Sequence, residues 1–142
     1  MPDLKRVFLD YDLNLLRVIA ELWGIELSAS NQREAAEALA AQLLEPSLAA
    51  EVAGALSPEA REALEGLRRA GRLPAALFFR EYGELRAMGP ARRDREQPWR
   101  NQPSASEQLW YRGFIARAFF AEQAQAPQEF IFIPEDLRRG CR

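Results

Sequence analysis

The chain has 142 residues, 48% of them hydrophobic and 28% charged, a balance that suits one globular domain or two small ones sharing a core. It contains no histidine and a single cysteine, Cys141, which leaves out the usual general base, Ser–His and Cys–His pairs, zinc fingers and internal disulfides. The formal net charge of −2 is unevenly divided: residues 1–66 carry net −7 and residues 67–142 net +5.

All basic residues except Lys5 are arginines, which suit planar recognition of phosphate or carboxylate. The division implies an acidic half and a basic half that meets an anionic partner. No apolar run approaches the roughly 20 residues that span a bilayer, so no membrane role is expected. Val7-Phe8-Leu9 is too short for a signal peptide. With the lone cysteine, this places the chain in the cytoplasm. There is no glycine-rich phosphate loop, and neither a cofactor nor a metal is expected.

In chain order, Asp12 caps a helix over residues 13–23, with Leu13, Leu16, Ala20 and Trp23 along one face and Gly24 as its stop. Ile25-Glu26-Leu27 is an extended link. Asn31 with Glu34 has the form of a capping box opening a helix to about Leu44, its buried face Ala36, Leu39, Ala40 and Leu43. Glu45-Pro46-Ser47 breaks the chain before a short helix holding Leu48, Val52 and Leu56. Ser57-Pro58-Glu59 then starts a helix with the stripe Ala60, Ala63, Leu64, Leu67, ended by Gly71.

Arg72-Leu73 is a short extended piece, and Pro74 opens a helix through Leu77, Phe78 and Tyr82 to Gly83. Leu85 and Met88 suggest one more turn. Residues 89–103, with Pro90, Pro98, Pro103 and the run Arg92-Arg93-Asp94-Arg95-Glu96, read as an exposed loop. Ser104-Ala105-Ser106-Glu107 is a second capping box, starting a helix that holds Leu109, Trp110 and Arg112 and ends at Gly113. The period then changes to β over residues 115–120 and 129–133, a hairpin whose turn, residues 122–127, carries no basic residue. Pro134-Glu135-Asp136-Leu137 opens a last helix with few residues to build it, as a fragment of a larger protein would.

The fold class is therefore mainly α (α+β): a helical half over residues 1–56, then residues 57–142 with one C-terminal antiparallel hairpin, packed as one unit. Leu77-Phe78-Phe79, Leu109-Trp110-Tyr111-Arg112-Gly113 and Glu129-Phe130-Ile131-Phe132-Ile133-Pro134 resemble the winged-helix segment of bacterial helicase-associated proteins, over residues 57–137. The resemblance implies contact with double-stranded DNA or with a helicase partner, and no catalysis. The block from Leu13-Asn14-Leu15 to Leu27-Ser28 is similar to SAP-type helix–extended loop–helix modules, whose second helix starts with DNA-contacting basic residues. Here only Arg33 stands there, beside Glu34 and Glu37. Val7-Phe8-Leu9-Asp10-Tyr11-Asp12 looks like the first motif of haloacid-dehalogenase-type phosphatases, which use the two aspartates as nucleophile and acid/base with Mg²⁺. The pattern after it is helical, Asn14 departs from the motif, and Asp12 reads better as a helix cap.

No catalytic residues are assigned. The candidate phosphate-binding residues are Arg92, Arg93, Arg95 and Arg100 in the loop and Arg112 and Arg117 flanking the end of the third helix. Trp99 and Tyr111 are the candidate partner-contact residues. Of the adjacent aromatics Trp110 and Tyr111, about 100° apart on a helix, Trp110 is expected to be the buried one. The function implied is a non-enzymatic binding module associated with nucleic acid; the alternative is a protein–protein adaptor or accessory module of a DNA-processing partner.

Overall fold

The computed structural model describes residues 2–101, 104–121 and 126–140. The chain is mainly helical with a small antiparallel sheet, the class its sequence suggests. Helix α1 (Leu4–Leu9) has no counterpart in the sequence reading. Asp3 accepts the Arg6 N–H at its start, and Leu4, Val7 and Phe8 form its buried stripe. Gln32 closes its other end: Nε2 lies 2.8–3.1 Å from the carbonyls of Phe8, Leu9 and Tyr11, at and just beyond the helix terminus.

Helix α2 (Leu13–Trp23) begins where Asp12 accepts the Leu15 N–H and stops at Gly24, which adopts φ 70°. In α3 (Gln32–Leu43) Asn31 takes the Glu34 N–H, and Ala35, Ala36, Leu39, Ala40 and Leu43 are buried. The expected break falls at Leu44-Glu45, and the short helix that follows begins one residue on, at Pro46. Glu45 accepts from the backbone of Ser47 and Leu48, and Pro46 opens α4 (Pro46–Gly54). Helix α5 (Pro58–Ala70) follows, capped by Ser57, with the whole expected stripe buried.

Next come β1 (Arg72–Pro74), α6 (Ala75–Tyr82), α7 (Pro90–Glu96), a 3-10 turn (Pro98–Arg100), α8 (Ala105–Tyr111), β2 (Ala116–Phe120), β3 (Gln128–Phe132) and α9 (Glu135–Gly140). Strand β3 is central: Ala118 faces Phe130 on one side and Leu73 faces Ile131 on the other, both antiparallel. The expected hairpin thus gains a third strand from the Arg72-Leu73 piece. Most of its turn, residues 122–125, lies outside the described residues, as do Pro103 and residues 141–142.

Residues 89–101 are largely exposed, as expected, but form α7 and the 3-10 turn instead of a loop, with Arg93, Pro98 and Trp99 buried. Pro90 and Pro98 each sit in the first turn of a helical element, where a missing N–H costs nothing. The irregular stretch is 84–89 instead, and Leu85 and Met88 form no helical turn.

One buried cluster runs from Leu4 to Leu137 and includes residues on both sides of position 57. Trp23 spans that boundary: its ring lies 5.3 Å from Phe114, and its Nε1 donates to the Arg112 carbonyl at 2.6 Å. Gly113 (φ 72°) makes the approach possible, because a Cβ there would lie 3.1 Å from Phe8 Cζ and 3.2 Å from Ile19 Cγ2. Among the described residues no helix is long and apolar enough to cross a membrane.

Candidate functional site

The segment between α6 and α8 carries most of the expected binding residues, and two carboxylates from elsewhere hold it. The first is Glu107. Ser104 accepts the Glu107 N–H, as the capping pattern requires. The Glu107 carboxylate, only 1% exposed, does not complete the box but receives Arg86. Arg86 donates from Nε at 2.9 Å, from Nη2 at 2.7 Å and from its backbone N–H at 2.8 Å. Its Nη2 also reaches the Asn101 carbonyl at 3.0 Å. These charge-assisted bonds raise the pKa of the guanidinium above its ordinary value.

The second carboxylate is Asp12. Arg93 donates Nη1 to Oδ1 at 2.8 Å and Nη2 to Oδ2 at 2.6 Å, the two-pronged geometry only Arg can provide. The Arg93 hydrogen bonds hold the Asp12 carboxyl below its usual range, and Asp12 in turn raises the pKa of Arg93. Asp94 adds a bond to Arg93 and another to Asn14 at 3.0 Å. Asp12 therefore caps α2 and anchors α7 at once. Neither Arg86 nor Glu107 was singled out from the sequence. Glu107 lay in the capping box, but nothing local marks Arg86, its partner 21 residues away.

The expected phosphate-binding arginines have different fates. Arg93, with 8% of its side chain exposed, is an internal tie and not a surface cation. Arg92 pairs with Glu96 one turn on. Arg100 donates to Glu21 of α2 at 3.1 Å. Arg117 makes a two-pronged pair with Glu129 across the β2–β3 ladder, at 2.8 and 3.1 Å, and its guanidinium lies 5.4 Å from the Phe79 ring centre. Arg112 is half-buried, donates to the Gln108 carbonyl at 3.1 Å, and has its pKa lowered by desolvation. Arg95 is exposed and makes no hydrogen bond or ion pair with the described residues.

The two candidate partner-contact residues are in the core. Trp99 is 6% and Tyr111 4% exposed, with their rings 6.2 Å apart. Burial raises the pKa of Tyr111. The expected order of the adjacent aromatics is also reversed: Trp110 is the half-buried one, with its ring 5.5 Å from Tyr11. The cause is the position of α8, which packs against α2, α5 and α6 and has five of its seven residues buried.

Residues 7–12 form the end of a helix and the following cap. Asp10 ends α1 and pairs with Arg6 at 3.3 Å. Among the described residues no group of three or more His, Cys, Asp or Glu is placed to hold a metal. No family model matches the chain, and neither a curated protein nor a solved structure matches it.

Proposed function

We propose that this chain is a non-enzymatic cytoplasmic binding module, winged-helix-like in its second half, that recognises a protein and not a DNA duplex. The order α5-β1-α6-α8-β2-β3, with α7 and the 3-10 turn inserted between α6 and α8 and the sheet ordered β1-β3-β2, supports the winged-helix reading. The observation that carries the choice of partner is the burial of α8. A helix that reads a duplex must offer a row of side chains to the major groove, and the helix in that position has most of its residues in the core. The hairpin adds Arg117, but that charge is already matched by Glu129.

Leu77 and Phe119, 50% and 68% exposed, are the kind of unpartnered apolar side chains that protein contacts use. The resemblance to helicase-associated segments makes a helicase or another DNA-processing protein the first partner class to try. In the SAP-like half, Arg33 pairs with Glu37 at 3.6 Å, which further weakens a duplex reading.

A second reading, association with double-stranded DNA, is favoured by one observation: Arg95 is exposed, with no hydrogen bond or ion pair among the described residues, in a half of net charge +5. Titrating a fluorescent duplex at several salt concentrations separates the two. The protein-binding reading expects weak association without a steep salt dependence. A slope near 0.9 per phosphate contact, flattened by Arg92→Glu with Arg95→Glu, establishes the duplex reading instead.

A further inference from the structure

Helices α4 and α5 leave a cleft of about 320 Å³ between them. Its α4 wall is Pro46, Ala49, Ala50, Ala53 and Gly54, at the spacing of one helix face. Its α5 wall is Arg61, Leu64, Glu65 and Arg68, again three and four residues apart, and Ile133 is also part of the lining. Two helices therefore present packing stripes to one opening. Of the α4 stripe only Ala49 is fully buried by the fold.

Arg68 also belongs to a second, polar depression with Glu135, Arg138 and Arg139. Arg138 is fixed there: its Nε donates to the Arg68 carbonyl at 2.9 Å, and its guanidinium lies over Gly71. Arg69 joins the cluster through Glu65 at 3.2 Å. Arg68 is held by Glu65 of the same helix, through Nε at 2.9 Å and Nη2 at 2.5 Å, and Arg138 lies 3.9 Å from Glu135. Arg61 and Arg139 are exposed and make no hydrogen bond or ion pair with the described residues.

We infer that this cleft docks an acidic amphipathic helix of a partner protein, a step that rests on the protein-binding reading above. The small residues of α4 let another helix approach closely, and aliphatic side chains three and four residues apart fill the slot. Carboxylates on the flanks of that helix meet Arg61 at one rim and Arg139 at the end. A phosphate backbone has no use for the apolar slot, and a neutral apolar helix has none for the arginines.

The probe is a fluorescein-labelled alanine-based peptide of about 16 residues, with leucines at helical spacing and glutamates on its flanks. Its control carries lysine for every glutamate. Anisotropy titration into the full chain should give saturable binding of the acidic peptide and at least about tenfold weaker binding of the basic one. Arg61→Glu and Ala50→Glu, both at exposed positions, should each weaken the acidic peptide by about tenfold or more while thermal melting stays unchanged. Equal binding of the two peptides, no binding of either, or indifference to both variants overturns the inference. Binding of dodecanoate without the acidic peptide overturns it too and assigns the cleft to a lipid anion. If the duplex titration is steep, the parent reading fails; if neither duplex nor peptide binds, only this inference fails.

Discussion

Helix α5 and the segment from Gly83 to Asn101, separated in the chain by β1 and α6, are built in opposite ways. In α5 nearly every determinant is local. Ser57 caps, Pro58 opens, Glu59 faces the first turn, Ala60, Ala63, Leu64 and Leu67 fill one face, and Gly71 ends it. Gln108 of α8 adds a tertiary tie by bonding both the backbone and the hydroxyl of Ser57. The second segment has little apolar periodicity and owes its course to charges that find partners far away: Arg86 on Glu107, Arg93 on Asp12, Arg100 on Glu21. Local signals are sufficient where the helix is its own instruction. Where a distant carboxylate decides, the same kind of residue reads as solvent-exposed loop.

The comparison breaks most readily at Arg86. Arg86→Ala leaves the Glu107 carboxylate buried with only the backbone N–H of residue 86 to meet it, and should cost about 3–5 kcal/mol in urea unfolding. A loss below about 1 kcal/mol would mean that packing, and not charge, holds the segment. Asp12→Ala removes both a cap and the anchor of Arg93 and should cost about 2–4 kcal/mol. Asp12→Asn can keep the cap, so its loss against wild type isolates the ion pair and its difference from Asp12→Ala isolates the cap.

Acid sharpens the same contrast. The pKa of Asp12 is lower in the folded chain than in the unfolded one. Its contribution is therefore complete above the unfolded value, about 4, and disappears as pH falls through the folded value. Wild type should lose stability through that window, and Asp12→Asn should lose less. An identical pH profile for the variant would remove Asp12 from the account. At the small end, Ser57→Ala should cost about 1 kcal/mol, seen as a shift in the unfolding midpoint with unchanged slope.

The helix starts at Asp12, Asn31, Ser57 and Ser104 and the two hairpin strands were legible because each rests on a side chain bonding its own neighbourhood or on a period-2 run. Helix α1 was hidden by its length: six residues give one stripe of three apolar positions and no repeat of it. Helix α7 and the 3-10 turn were hidden by Pro90 and Pro98, since proline starts a helical turn as readily as it interrupts one. The order of Trp110 and Tyr111 was out of reach for a different reason. Spacing says that two neighbours point apart, but which direction is covered depends on Trp99 and Tyr11, both distant along the chain. The candidate site suffered likewise. A count of arginines gives a net charge, and it does not say which of them, like Arg93, are already spoken for inside the molecule.

The contact between the first helix and the last has a consequence for how the chain is made. The Leu4 N–H donates to Asp136 at 2.9 Å and the Glu135 N–H to the Pro2 carbonyl at 3.1 Å, a sequence separation of 132 residues for the first of them. Trp23 and Arg112 are 89 apart and Arg93 and Asp12 are 81 apart. Loops of that length are closed late and slowly. During synthesis α1 emerges long before α9, the helix that anchors it. The faces of α1 and α2 that meet α9 and the Arg112–Phe114 turn stay uncovered until those later segments arrive.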